Sequence, residues 1–186
     1  MRLFFAIDIP DPLKKEMSAL QKKLGANLSG VKWVEEENLH LTLKFLGEVS
    51  DHKLKGIISA AHSNLDNFRP HTLSFTNTGF FPHRNRPRVI WLGISGETDV
   101  TREVARRLDE SLAPLGFEPD SKRKLHITLG RINKETTGPD LVRRAQEYNG
   151  IGEERKFEVA EVRLYSSELT PSGPNYSILE KFVFRY

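Results

Sequence analysis

Apolar and polar positions alternate strictly in two short stretches of the chain. Leu39, Leu41, Leu43 and Phe45 share one parity, and His40, Thr42 and Lys44 share the other. Leu125, Ile127 and Leu129 stand in the same relation to His126 and Thr128. Strand side chains alternate with period two, so the pattern predicts half-buried strands over Leu39–Leu46 and Leu125–Ile132. Each places its histidine and threonine on one face, with an apolar, buried face behind.

The segments around them fall into a repeating order. Arg2–Ile9 reads as a strand stopped by Pro10. Asp11, as N-cap, and Pro12, in the first turn, open a helix that runs to Leu24 with Gly25 as its stop. Val31–Val34 is a short strand. Ser50 or Asp51 caps a second helix running to Phe68, where Arg69-Pro70 breaks it. Thr72–Phe80 and Pro87–Ile94 are strands, the latter apolar on both parities and so expected in the middle of a sheet. A helix over Asp99–Leu112, the second histidine strand, and a helix over Pro139–Tyr148 follow. Strands at Phe157–Tyr165 and Tyr176–Phe184 close the chain around a Ser172-Gly173-Pro174 turn.

Strand, helix, histidine strand and helix thus occur twice, with the histidines 86 residues apart (126 minus 40). The spacing exceeds the repeat period of solenoids. It implies an internal duplication and an α+β fold of two similar lobes. Each lobe would be an antiparallel sheet with helices outside, packed around a central cleft. Without a Pro-, Gly- or Ser-rich linker, residues 1–186 read as one bilobal domain with one histidine motif per lobe.

Composition narrows the chemistry. The 186 residues contain no cysteine, which excludes disulfides, thiolate nucleophiles and cysteine metal sites. A net charge of +3 suits a phosphate-bearing partner without by itself implying nucleic acid. No apolar run approaches membrane-spanning length and the N-terminus lacks signal-peptide features, so a cytoplasmic protein free of the membrane is expected.

Given this chain's own frequencies, His-apolar-Thr-Leu is expected on the order of 0.01 times, so two copies point to a role. Histidine can give or take a proton near neutrality, and two flanking one phosphorus can divide those tasks between them. Same-face threonine hydroxyls can donate to the non-bridging phosphate oxygens. A site of this kind needs neither metal nor cofactor, and the strands lack the further ligands that a zinc site requires. His52, His62, His71 and His83 read as surface residues. His83, Arg84, Arg86 and Arg88 form a basic loop, equally a solvated turn or a guide for a polyanion.

The chain resembles the 2H phosphoesterases, specifically the bacterial and archaeal RNA 2′,3′-cyclic phosphodiesterases historically named 2′-5′ RNA ligases. The resemblance rests on Arg2-Leu3-Phe4-Phe5-Ala6-Ile7, His40-Leu41-Thr42-Leu43-Lys44-Phe45-Leu46-Gly47, Gly79-Phe80-Phe81-Pro82 and Arg86–Gly93. It extends to His126-Ile127-Thr128-Leu129-Gly130-Arg131, Leu164–Leu169 and Gly173–Tyr176. Leu125 and Val183 stand where the family commonly has proline, and neither change removes a chemical group.

The resemblance implies that the two α+β lobes are related by a pseudo-twofold axis, with the four motif residues lining the central cleft, and it implies hydrolysis of RNA 2′,3′-cyclic phosphate ends, tRNA halves among them, to 2′-phosphates, with weak reversible 2′-5′ joining. It implies His40 as acid, His126 as base, and Thr42 and Thr128 as substrate contacts; a monomer is expected. Arg131 is a family-suggested phosphate contact, yet strict alternation places it opposite His126, so it reaches the cleft only if the strand bulges near Gly130. Action on small cyclic nucleotides or tRNA-splicing products, or non-catalytic binding of RNA ends, are the alternatives.

Overall fold

A computed structural model describes residues 1–148 and 151–185. Its elements are β1 (Arg2–Asp8), α1 (Asp11–Gly25), β2 (Val31–Trp33), β3 (His40–Glu48), α2 (Leu54–Leu65), β4 (His71–Phe81), β5 (Val89–Gly96), α3 (Thr98–Leu112), β6 (His126–Ile132), α4 (Gly138–Tyr148), β7 (Phe157–Val159), β8 (Glu161–Thr170) and β9 (Gly173–Val183). All strand pairs are antiparallel.

Most boundaries agree with the pattern to within a few residues, and the exceptions have local causes. Pro10, not Asp11, occupies the cap position of α1, without a side-chain cap. Asp51–Lys53 form a single 3-10 turn before α2, which ends at Leu65, short of Phe68. The expected strand Phe157–Tyr165 divides at Ala160, because Phe157–Val159 pair with β4 while Glu161 onward pair with β1 and β9.

The strands form one continuous sheet in the order β7-β4-β5-β6-β3-β1-β8-β9, with β2 alongside β6. Read outward from the β6–β3 seam, the halves run β6-β5-β4 and β3-β1-β8. In chain order the first repeat supplies β1, β3 and β4, and the second supplies β5, β6 and β8. The third strand of each repeat therefore crosses into the other half-sheet, a palindromic order that the linear repeat does not disclose. The seam itself is narrow, with Leu41 opposite Ile127 as its one pair.

The helices cover one face of the sheet, α1 against α4 and α2 against α3. Leu13, Met17, Leu20 and Leu24 of α1, and Val104, Leu108 and Leu112 of α3, meet Leu3, Phe5, Ile7, Leu41, Leu43, Ile90, Leu92, Ile127 and Leu129 in the core. Each fully buried aliphatic side chain contributes about 1.5–3 kcal/mol. The opposite face, free of helices, carries both histidines. Among the described residues, no helix is long and apolar enough to cross a membrane.

Candidate active site

Continuing the Leu41–Ile127 register by one residue each way sets His40 opposite Thr128 and Thr42 opposite His126. All four therefore share the helix-free face. Both histidines are oriented in the same way. Nδ1 of His40 donates to the Asn38 carbonyl at 2.7 Å, and Nδ1 of His126 donates to the Lys124 carbonyl at 2.6 Å. A carbonyl only accepts, so the proton of the neutral ring sits on Nδ1 and the Nε2 lone pair is left for chemistry. Nε2 of His40 lies 2.9 Å from Thr42 Oγ1.

Strict alternation fails just beyond each threonine. On β3, Lys44 pairs with Phe5 but Thr42 pairs with Ala6, so Leu43 is an extra residue. On β6, Gly130 pairs with Ile90 but Thr128 pairs with Trp91, so Leu129 is extra. Each bulge reverses the parity that follows it. Lys44, expected beside His40 and Thr42, is turned to the buried side. Phe45, expected in the core, is 68% exposed on the histidine face. By the same step Arg131 is exposed on the face of His126 and Thr128, the bulge near Gly130 having supplied the condition its placement required. Gly130 itself is tightly enclosed, since a Cβ there would stand 2.9 Å from the Trp33 ring.

The surroundings of the two rings differ. His40 is ringed by Phe4, Tyr176 and Tyr165, with centroids at 4.9, 5.5 and 6.5 Å. It pairs across strands with Asp8, whose carboxylate is bound by Lys14 and Arg163, each at 2.7 Å. Burial pushes the His40 ring below its ordinary value; the Asn38 carbonyl and Asp8 work against that, and Lys14 and His126 add to it. His126 lies beside Phe81 and Trp91, at 4.9 and 6.1 Å, and its strand partner is Gly93. Burial lowers it too; the Lys124 carbonyl opposes this, and the charges of Lys124 and Arg131 reinforce it. The Lys124 ammonium stands 4.2 Å over the Trp91 ring, which packs flat enough on Gly79 that a Cβ there would overlap it. Burial raises the Tyr176 phenol, and the Arg131 charge opposes this.

Several polar residues that support the site went unread in the sequence. A bulge frees a backbone carbonyl that must find a donor. Leu129 O accepts from Val34 N–H at 2.9 Å and from buried Gln21 Nε2 of α1 at 2.8 Å, and Leu43 O accepts from Arg123 Nε at 2.7 Å. The only signal for Gln21 was a polar residue on the buried face of an amphipathic helix. Of the remaining histidines, His52 and His83 are exposed as expected. His62 is half-buried against Phe182, 4.6 Å between ring centroids. His71, expected at the surface, is 2% exposed, with Nε2 2.7 Å from Thr101 Oγ1, because β4 begins there and turns its first side chain onto α3. Arg84, Arg86 and Arg88 are exposed, and Arg86 pairs with Glu135. Among the described residues, no group of three or more His, Cys, Asp or Glu side chains is arranged to hold a metal.

The LigT-like phosphoesterase family matches the chain twice, over residues 7–91 and 92–176, so each match contains one histidine strand. The chain belongs to the LigT-like phosphoesterase family. Two similar relatives are the RNA 2′,3′-cyclic phosphodiesterases of Archaeoglobus fulgidus, 40% identical over 98% of this chain and 99% of the relative, and Methanocaldococcus jannaschii, 38% identical over 98% and 100%. Among solved structures of the LigT-like fold, Escherichia coli LigT complexed with 3′-AMP matches with a TM-score of 0.80 at 28% identity, covering 100% of this chain and 98% of that one. A Thermus thermophilus protein matches equally well, with a TM-score of 0.80 at 29% identity over 98% and 97%.

Proposed function

We propose that this protein hydrolyses RNA 2′,3′-cyclic phosphate ends to 2′-phosphates through a two-histidine acid–base mechanism. The observation that carries this reading is the pair of imidazoles on one face, each fixed through Nδ1 to a carbonyl two residues upstream and each presenting Nε2. The cyclic phosphate lies between them. Thr42, Thr128 and Arg131 bind its non-bridging oxygens and hold the phosphorus in line for attack.

Burial, reinforced by cationic neighbours, keeps His126 neutral, so its Nε2 removes a proton from water as the oxygen attacks phosphorus. The P–O3′ bond breaks, and Nε2–H of His40 passes its proton to O3′. The Asp8 carboxylate favours the protonated form of His40 against the opposing Lys14 charge, and the order of roles follows the family resemblance. Afterwards His126 is charged and His40 neutral, and exchange with solvent restores the starting state. With a ribose 5′-hydroxyl in place of water, the same forward steps join RNA through a 2′-5′ bond, and run backwards they cleave that bond; the abundance of water keeps the joining weak.

The relatives named as RNA 2′,3′-cyclic phosphodiesterases support the substrate class, and the 3′-AMP complex of a structural neighbour supports nucleotide binding. The test is incubation of the purified protein with an oligoribonucleotide ending in a 2′,3′-cyclic phosphate, with phosphorus NMR of the product. A 2′-phosphate is expected. No turnover would favour the RNA-end-binding alternative, and turnover confined to mononucleotides would favour the small cyclic nucleotide alternative.

A further inference from the structure

We infer that Arg123 is a positioning residue, a clasp across the narrow β3–β6 seam that holds the two histidines at their working separation. The inference rests on the two-histidine reading above. Only the Leu41–Ile127 pair joins β3 to β6 directly, so the strands that carry His40 and His126 are free to splay on either side of it. Arg123 lies in the segment leading into β6. Its Nε donates to Leu43 O at 2.7 Å, the carbonyl released by the bulge directly after Thr42. The next residue, Lys124, supplies the carbonyl that fixes His126 Nδ1. One short path thus runs from His40 through Thr42 and Leu43 O to the Arg123 side chain, then through Lys124 O to His126.

The clasp is itself anchored. Arg123 Nη2 donates to Asp109 Oδ2 at 2.9 Å, and Lys44 Nζ donates to Asp109 Oδ1 at 2.5 Å and to Glu118 O at 2.7 Å. Burial pushes the Asp109 carboxyl up, but Lys44 and Arg123 outweigh this and hold it below its usual range. Lys44 and Asp109 are buried, and the bulge at Leu43 is what turns Lys44 toward α3. A guanidinium can bond a carbonyl and a carboxylate at once through separate N–H groups in a fixed plane, and an ammonium on a flexible stem does so poorly. Among the described residues, the side-chain hydrogen bonds of Arg123 go to Leu43 O and Asp109, not to a side chain on the histidine face, so its effect on turnover passes through the histidines.

The test compares Arg123→Lys and Arg123→Met with wild type for folding by circular dichroism, for kcat and KM on a cyclic-phosphate oligoribonucleotide, and for the Nδ1–H resonance of His126 in NMR spectra. Arg123→Lys keeps the charge beside Asp109 and guards against simple loss of fold. Displacing a reacting group by about 1 Å can cost roughly 10²-fold, so kcat is expected to fall about tenfold in the lysine variant and about 10²-fold in the methionine variant. KM is expected to stay within about threefold, because the substrate contacts remain, and uniform binding loss would appear in KM instead. Methylguanidine is expected to restore part of kcat to Arg123→Ala and none to His126→Ala. The Nδ1–H resonance is expected in wild type and broadened away in Arg123→Met. A folded Arg123→Lys with wild-type kcat, or an unchanged resonance in Arg123→Met, overturns the clasp. Wild-type protein without hydrolysis overturns the two-histidine reading instead, and the clasp then stands or falls on the NMR result.

Discussion

Around His40 the cleft holds Phe4, Tyr165 and Tyr176, with Asp8 paired opposite the ring; around His126 it holds Phe81 and Trp91, and the charges that act on the ring are both cations. Phe45 occupies on β3 the position that Arg131 occupies on β6, five residues past the histidine and turned outward by the same kind of bulge. The backbone plan is duplicated and the side chains set upon it are not. A pseudo-symmetric frame gives matched imidazoles in unlike surroundings, and the proposed mechanism assigns the acid to one side and the base to the other.

The most damaging way to break the comparison is to delete either imidazole. His40→Ala and His126→Ala are each expected to lower kcat by about 10²- to 10⁴-fold while circular dichroism stays unchanged. A folded variant of either kind that keeps near-wild-type turnover refutes the division of labour.

The next test exchanges the positions related by the pseudo-twofold. A charge-assisted hydrogen bond is worth about 1.5–3 kcal/mol, so Arg131→Met is expected to reduce kcat/KM by roughly 10- to 100-fold. Phe45→Met, the equivalent change on the aromatic side, is expected to cost roughly tenfold less, since it removes no contact to phosphate. Equal losses would mean that the two sides are not differentiated as described.

Acid–base order is sharpened by pH. With one ring neutral and the other charged in the active form, kcat/KM is expected to be bell-shaped and to report the coupled pair. Both rings are held below the ordinary imidazole value of 6.5, so the maximum is expected on the acidic side of it. Asp8 raises the His40 value, so Asp8→Asn should lower it further. The alkaline limb, where the acid loses its proton, should then move to lower pH while the acidic limb stays in place. Movement of the acidic limb instead would reverse the roles.

The smallest expected effect is on stability. His71 lies buried outside the cleft, and burial holds it below 6.5 despite the Arg69 carbonyl and Glu97. A group depressed in the folded state binds its proton more readily when unfolded. Its contribution is therefore intact above 6.5 and lost as pH falls through the lower folded value. The drop in melting temperature between pH 7 and 5 is expected to be smaller in His71→Asn than in wild type.

The residues legible in the sequence were those that obey a period. His40, Thr42, His126 and Thr128 stood out because alternation held up to each threonine, and the central position of β5 followed from its two apolar parities. Lys44 and Phe45 were misplaced because one extra residue in a strand carries no compositional mark. Gln21, Asp109 and Arg123 were unreadable for a related reason, since a buried polar residue looks like a surface one until the carbonyl it satisfies is known. His71 was assigned to the surface because its partner Thr101 lies thirty residues away on α3.

The crossing of β4 and β8 between half-sheets bears on how the molecule can be divided. A chain consisting of the first repeat alone would carry β1, β3 and β4 with the place beside β1 empty and no β5 for β4 to pair with. Two such chains could satisfy one another by mutual donation of the third strand, an isologous arrangement in which each copy completes its twin. In the 186-residue chain that donation is intramolecular, so the partner strand is always present at the effective concentration of a tether. Cutting the chain between β4 and β5 would convert a folding step into a bimolecular association, and the two fragments should regain the paired histidines only together.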